Sequence, residues 1–174
     1  MYNVDISKFE TIKRRVRIIL VFFLVGFVIS GLTAFPIRWE IAQLQRLIGA
    51  NTFMEGLYSP MAHWISYVHR GLTNINQEQI FIFYLTDWLA FAYILIGIAF
   101  LGPLRDPVRN IWIIEWAMIL FVLAIPLIFI SAPIRGIPSF WRLIDCSFGV
   151  FGFVLLWVCR KYIKQMEKAK SDSG

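Results

Sequence analysis

Charged residues are scarce in this sequence. Only 16% of its 174 residues are Asp, Glu, Lys or Arg, whereas 59% are hydrophobic and 17% are aromatic. A soluble domain of this length cannot bury so much apolar surface. The composition therefore places the chain in a lipid bilayer and leaves no room for a second, water-soluble domain.

Residues that hold metals or act as nucleophiles are also few. Cys146 and Cys159 are the only cysteines and His63 and His69 the only histidines, with no CxxC pair among them. The cysteines would be about 20 Å apart along one helix, too far for a disulfide. No GxSxG, SxxK or HExxH pattern occurs. The sequence therefore predicts no metal site, no cofactor and no standard catalytic nucleophile.

Four long apolar segments predict an all-α, polytopic membrane protein. The expected spans are approximately 18–35, 80–102, 108–132 and 139–160, within one domain over 1–168. The first span follows a basic segment but precedes no A-x-A cleavage pattern, so we expect an uncleaved helix ending at Pro36. Asp106 followed by Pro107 predicts the start of the third helix, and Pro126 predicts a kink within it. Residues 169–174 are expected to be disordered.

The polar connection 37–79 contains two amphipathic patterns. Apolar residues recur at helical spacing from Ile37 to Leu47, and again from Met61 to Leu72. We expect two short amphipathic helices that form a cap on the outer membrane surface.

The basic residues indicate the orientation. The net charge is +6, and Lys and Arg lie at the ends of the apolar segments, which favours contact with anionic lipid headgroups over nucleic acid. Twelve of the 17 Lys and Arg residues fall in the N-terminal segment, the 103–110 link and the C-terminal tail, against five in the other two loops. The positive-inside rule then predicts that both termini are cytoplasmic.

Asp87 is the most informative charged residue, because a charge within a membrane helix requires a partner or a polar cavity. The expected topology brings six charged residues to one outer layer. They are Asp87, Arg142, Asp145, Arg135, Arg38 and Glu40. We expect Asp87 to pair with Arg142 or Arg135, since a guanidinium can hold a carboxylate bidentately.

This layer has two interpretations. It is either a structural ion-pair network that locks the helices together, or an outward-facing pocket for an anion, a proton or a small polar ligand. Glu115 is a secondary candidate, which we expect either to pair with Arg17, Arg105 or Arg109 or to extend its carboxylate to the membrane surface. His63, Tyr67 and Arg70 form a further secondary group on one face of the second amphipathic helix.

Small residues predict close helix packing, within the chain or between copies in a homo-oligomer. Gly26, Ser30 and Ala34 are spaced by four residues in the first helix, and Gly149 and Gly152 share a shallow face of the fourth. The partners expected are therefore the lipid bilayer, further copies or other membrane subunits, and a small polar or anionic ligand.

Three segments carry a resemblance: Thr86 to Phe91, Gly102 to Asn110, and Arg135 to Asp145. They resemble segments of a group of small bacterial four-helix inner-membrane proteins. The resemblance implies a bacterial cytoplasmic membrane and no particular activity. The leading hypothesis is a binding or accessory protein. A transporter or channel subunit and a membrane enzyme or redox component remain as alternatives.

Overall fold

A computed structural model describes residues 2–171 of the chain, and the side chains of residues 9–169. All regular secondary structure in the described chain is helical, with no strand between residues 2 and 171. The helices are α1 (Tyr2–Ala34), α2 (Ile37–Ile48), α3 (Phe53–Glu78), α4 (Phe83–Ala99), α5 (Leu101–Arg105), α6 (Ile111–Ile134) and α7 (Ser139–Ser171), with a 3-10 turn over Ile80–Ile82.

Four helical segments are long and apolar enough to cross a membrane, which confirms that part of the prediction. They are Phe9–Ala34, Ile80–Arg105, Ile111–Ile134 and Ser139–Ala169. At about 1.5 Å per residue each exceeds the hydrocarbon thickness of a bilayer, about 30 Å. Many of their large apolar side chains are exposed, as expected where lipid is the solvent.

The chain divides into two compact units, residues 1–25 with 97–174, and residues 26–96. We call them the α6–α7 unit and the α2–α3 unit, after the helices that lie wholly within each.

The α6–α7 unit has a core of residues at helical spacing. In α1, Val16, Leu20 and Phe23 are buried on one face. The Phe23 ring stacks on Phe100 with centroids 5.6 Å apart and an interplanar angle of 11°. The core also includes Ile113, Ile114 and Ala117 of α6 and Leu156, Cys159, Ile163 and Met166 of α7.

Gly152 allows α6 and α7 to approach closely. A Cβ atom at this position would lie 2.5 Å from the Phe121 ring, so only glycine fits without a shift of that ring. At Gly149 a Cβ atom would lie 3.7 Å from the Phe121 carbonyl oxygen, an ordinary contact. The shallow face predicted for the fourth helix therefore packs against α6.

The third span begins later than Asp106 and Pro107 suggest. Asp106 Oδ1 accepts a hydrogen bond from the Arg109 backbone N–H at 3.1 Å, so it caps a turn and not the helix itself. Asn110 then donates from Nδ2 to the carbonyl oxygens of Gly102 at 3.1 Å and Asp106 at 3.0 Å. This turn delays the start of α6 to Ile111, and the helix then continues through Pro126.

The α2–α3 unit turns sharply between its two loop helices. Asn51 adopts a left-handed conformation with φ 67°, and Thr52 caps α3 by accepting a hydrogen bond from the Met54 N–H at 3.3 Å. Glu55 Oε2 accepts from the Asn51 N–H at 2.6 Å. The helix is interrupted at Tyr58 (φ −150°, ψ 81°), two residues before Pro60.

At the C-terminus, α7 is helical to Ser171. The last three residues of the tail predicted to be disordered, 172–174, lie outside the described residues.

Candidate functional site

The α2–α3 unit contains a cavity of about 550 Å³ where its loop helices meet the ends of two spans. This volume lies within the range of small-molecule sites, about 300–1,000 Å³. We call it the Arg38 cavity. It is lined by Phe35, Pro36, Ile37, Arg38, Trp39, Ala42, Asn76, Ile80 and Phe83. Most of this lining is apolar, with two strongly polar side chains, those of Arg38 and Asn76.

Arg38 supplies the positive charge of the cavity. It lies in the first turn of α2, which starts directly after Pro36. Its guanidinium carbon is 6.0 Å from the ring centroid of Phe83, a cation–π distance. Within the described α2–α3 unit, no carboxylate forms an ion pair with Arg38. The guanidinium N–H groups are therefore available to an anion.

Asn76 contributes an unsatisfied acceptor. Its Oδ1 atom is buried and has no hydrogen-bond partner among the described residues. A buried polar atom without a partner costs about 1–3 kcal/mol, so such atoms are uncommon unless a ligand or water completes them. The cavity thus pairs an anion-binding donor group with an acceptor that requires a donor from elsewhere.

The apolar lining completes the chemistry. Trp39 is 65% exposed and Ile80 is 66% exposed, so both present apolar surface at the cavity. A ligand that suits all these groups has an acidic group, a hydrogen-bond donor near it, and an apolar body.

Only one residue of the predicted charged layer lines this cavity. Arg38 does so, whereas Glu40 lies in the same first turn of α2 and is not part of the lining. Asp87 lies in α4, is partly buried, and belongs to the same unit. It forms no ion pair within the described part of that unit.

The other three predicted residues belong to the α6–α7 unit. Arg135 is exposed where α6 ends, and Asp145 lies in the first two turns of α7. Arg142 is partly buried, and its Nε atom is shielded from solvent without a hydrogen-bond partner in the described chain. The pairing of Asp87 with Arg142 or Arg135 stays a prediction.

Glu115 has a partner that the sequence does not indicate. Arg160 Nε donates a 2.7 Å hydrogen bond to Glu115 Oε1 and forms an ion pair between α6 and α7. The expected partners were Arg17, Arg105 and Arg109. The reason is geometric, because Arg160 follows the uncharged part of α7 and meets α6 at the level of Glu115.

His63, Tyr67 and Arg70, the secondary group predicted on α3, do not share one contact. His63 Nε2 lies 3.2 Å from Glu55 Oε1. The two residues are on opposite sides of the interruption of α3 at Tyr58. Tyr67 stacks on Trp64, with ring centroids 5.6 Å apart, and Arg70 is exposed. In the described chain, no three His, Cys, Asp or Glu side chains are placed to hold a metal ion.

Arg38 is the one sequence candidate in the cavity lining, and the chemically important residues that the sequence does not single out are Trp39 and Asn76. Asn76 follows the apolar pattern that ends at Leu72, and only the extension of α3 to Glu78 brings it onto the cavity wall. The one signal available was Trp39 beside Arg38, an aromatic and a cation directly after a span.

Comparison of the chain with protein-family models, with curated proteins and with solved structures finds no match.

Proposed function

We propose that this chain is a multi-pass membrane protein of binding or accessory type, and that the Arg38 cavity binds an anionic amphiphile. The observation that supports this most directly is the combination, in one cavity of about 550 Å³, of a guanidinium without a carboxylate partner and the buried, unpaired Oδ1 of Asn76. The acid group of the ligand contacts Arg38, and a hydroxyl or amine donates to Asn76.

The proposed location is the bacterial cytoplasmic membrane with both termini in the cytoplasm. Four membrane-length apolar helices support the multi-pass arrangement, and the distribution of Lys and Arg supports the orientation. In this arrangement α2 and α3 form an amphipathic cap on the outer surface, and the cavity opens at the lipid–water boundary. An amphiphile would reach such a site from the outer leaflet.

The experiment measures binding of tritiated 3-hydroxydodecanoate to protein in phosphatidylcholine nanodiscs, by scintillation proximity. This probe carries a carboxylate, an adjacent hydroxyl donor and an apolar chain. Dodecanoate, which lacks the hydroxyl, and methyl 3-hydroxydodecanoate, which lacks the charge, serve as competitors. We expect the hydroxy acid to compete best and the ester worst.

Two variants assign the binding to the cavity. Arg38→Gln should weaken 3-hydroxydodecanoate binding at least tenfold, because the charge-assisted hydrogen bonds to the carboxylate are lost. Asn76→Leu should abolish the preference for the hydroxy acid over dodecanoate while dodecanoate still binds. Arg46→Gln, which removes an exposed charge from the last turn of α2, is the matched control.

The proposal is wrong if the unaltered protein shows no saturable binding of the hydroxy acid. It is equally wrong if Arg46→Gln weakens binding as much as Arg38→Gln, since the effect would then be general surface charge.

A further inference from the structure

A second cavity lies in the α6–α7 unit, with a volume of about 370 Å³. It is an open groove between α6 and α7. The lining on α6 is Glu115, Met118, Ile119, Val122 and Leu123, and the lining on α7 is Phe153 and Arg160. The α6 residues are spaced by three and four, so they form one continuous face of the helix.

The groove is charged at one end and apolar along the rest. Glu115 and Arg160 form their 2.7 Å ion pair at the charged end. From Glu115 to Leu123 the apolar face extends about 12 Å along α6 at 1.5 Å per residue. Phe153, two turns before Arg160 on α7, lines the apolar part. A groove with one charged end and an apolar length suits a molecule with a polar head and a hydrocarbon chain.

The lining holds one charge of each sign, Glu115 and Arg160, and further cations follow on α7. The Nε of Arg160 is used by Glu115, which leaves the N–H groups of the two terminal nitrogens for another acceptor. Lys164 is exposed one turn further along α7, on the same face as Arg160. Lys161 directly follows Arg160 in the sequence. Glu115 is the one acidic residue of the lining. The complementary head is therefore anionic.

The residues beside the charged end indicate its depth in the membrane. The Lys161 Nζ lies 3.5 Å from the Trp157 ring centroid, a cation–π contact. Trp and Lys side chains near the end of an apolar span are typical of the membrane–water interface. From this level the apolar face runs toward the middle of both spans, which is the direction that an acyl chain of a lipid in the same leaflet takes.

We propose that this groove binds an anionic phospholipid, with the phosphodiester on the terminal N–H groups of Arg160 and one acyl chain along Met118, Val122 and Phe153. Glu115 positions the guanidinium and does not contact the phosphate. The site is separate from the Arg38 cavity and does not depend on the function proposed for it.

Native mass spectrometry of the detergent-solubilised protein tests this. The protein is titrated with phosphatidylglycerol and with phosphatidylcholine of identical acyl chains, and the bound fraction of each is measured. We expect phosphatidylglycerol to bind at least tenfold more tightly. Arg160→Gln should reduce that preference to threefold or less, because the contact that recognises the anionic head is removed.

Arg15→Gln is the matched control. It removes one charge from the same unit, and Arg15 also hydrogen-bonds to α7, through its 3.2 Å contact with Tyr162 Oη. We expect this variant to keep the preference for phosphatidylglycerol. Equal loss in both variants would show that the lipid responds only to net charge, and would overturn the site.

A second variant tests the groove without disturbing the ion pair. Val122→Trp fills the apolar part, so it should lower binding of both lipids while Glu115 and Arg160 remain paired. Unchanged phosphatidylglycerol binding in Val122→Trp would also overturn the proposal. So would dissociation of a dimer by this variant, measured by light scattering, with lipid binding unaltered, because the groove would then be an interface between copies.

Discussion

Ser66 of α3 is hydrogen-bonded to the turn that follows α2. Its Oγ accepts from the Ala50 backbone N–H at 2.8 Å and donates to the Ala62 carbonyl oxygen at 3.0 Å. The Ser66 side chain is buried, so it holds the turn after α2 against the middle of α3. This contact anchors the C-terminal end of α2, the helix whose first turn carries Arg38.

Ser66→Ala should therefore destabilise the α2–α3 unit. The Ala50 N–H would lose its partner in a partly buried position, at a cost of about 1–3 kcal/mol. Thr73→Ala is the control, because the Thr73 hydroxyl makes only the local bond to the His69 carbonyl and is exposed. Amide hydrogen exchange around residue 50 should accelerate in Ser66→Ala alone. Equal exchange in both variants would show that Ser66 does not hold the turn.

Two glycines of α1 should respond in opposite ways to alanine. At Gly31 a Cβ atom would lie 2.7 Å from the Ala90 carbonyl oxygen and 2.6 Å from Ile94 Cγ1, so α1 and α4 would have to separate. We expect Gly31→Ala to lower the melting temperature, at a cost of about 1–3 kcal/mol for overpacking.

Gly26→Ala is the matched substitution in the same helix. Nothing lies within 4 Å of a Cβ atom there, so the gain in helix propensity, about 0.5–1 kcal/mol, should leave stability equal or slightly higher. A lower melting temperature for Gly26→Ala would instead indicate that this face packs against another copy of the chain.

Composition and helical length were sufficient to predict four membrane-length helices. An apolar run of about 20 residues has few alternatives in a chain this hydrophobic. The small-residue stripe of α1 was less informative. Spacing selected Gly26, whereas the glycine packed within the chain is Gly31, and the difference depends on which face of α1 meets α4. The orientation of α1 about its own axis is set by tertiary packing and not by local sequence.

The partners of polar residues could not be predicted for the same reason. Glu115 meets Arg160 because of the register between α6 and α7, which no local pattern determines. Asn110 delays α6 by donating back to Gly102, a contact that spans the whole link. The Arg38 cavity depends on Asn76, which is distant in sequence. Local rules place helices, while the site depends on how the helices meet.

The orientation of the chain can be tested by labelling single cysteines in whole cells. After Cys146 and Cys159 are replaced by Ala, a membrane-impermeant maleimide should label Ser59→Cys in intact cells. It should label Gln165→Cys only after lysis. Both positions are exposed, so accessibility depends on the side of the membrane. Labelling of the residue 165 variant in intact cells would reverse the proposed orientation.

The predicted pairing of Asp87 with Arg142 calls for a double-mutant cycle. Removing one member of a buried ion pair leaves an uncompensated charge, which costs about 3–5 kcal/mol, whereas removing both often costs little. We expect Asp87→Leu and Arg142→Leu each to lower the melting temperature and folded yield, and the double variant to recover most of the loss. Arg70→Leu, which removes an exposed charge from α3, controls for charge loss alone.

Recovery with Arg135→Leu instead would identify that arginine as the partner. Additive losses in both combinations would show that Asp87 pairs with neither, because uncoupled residues contribute independently to stability.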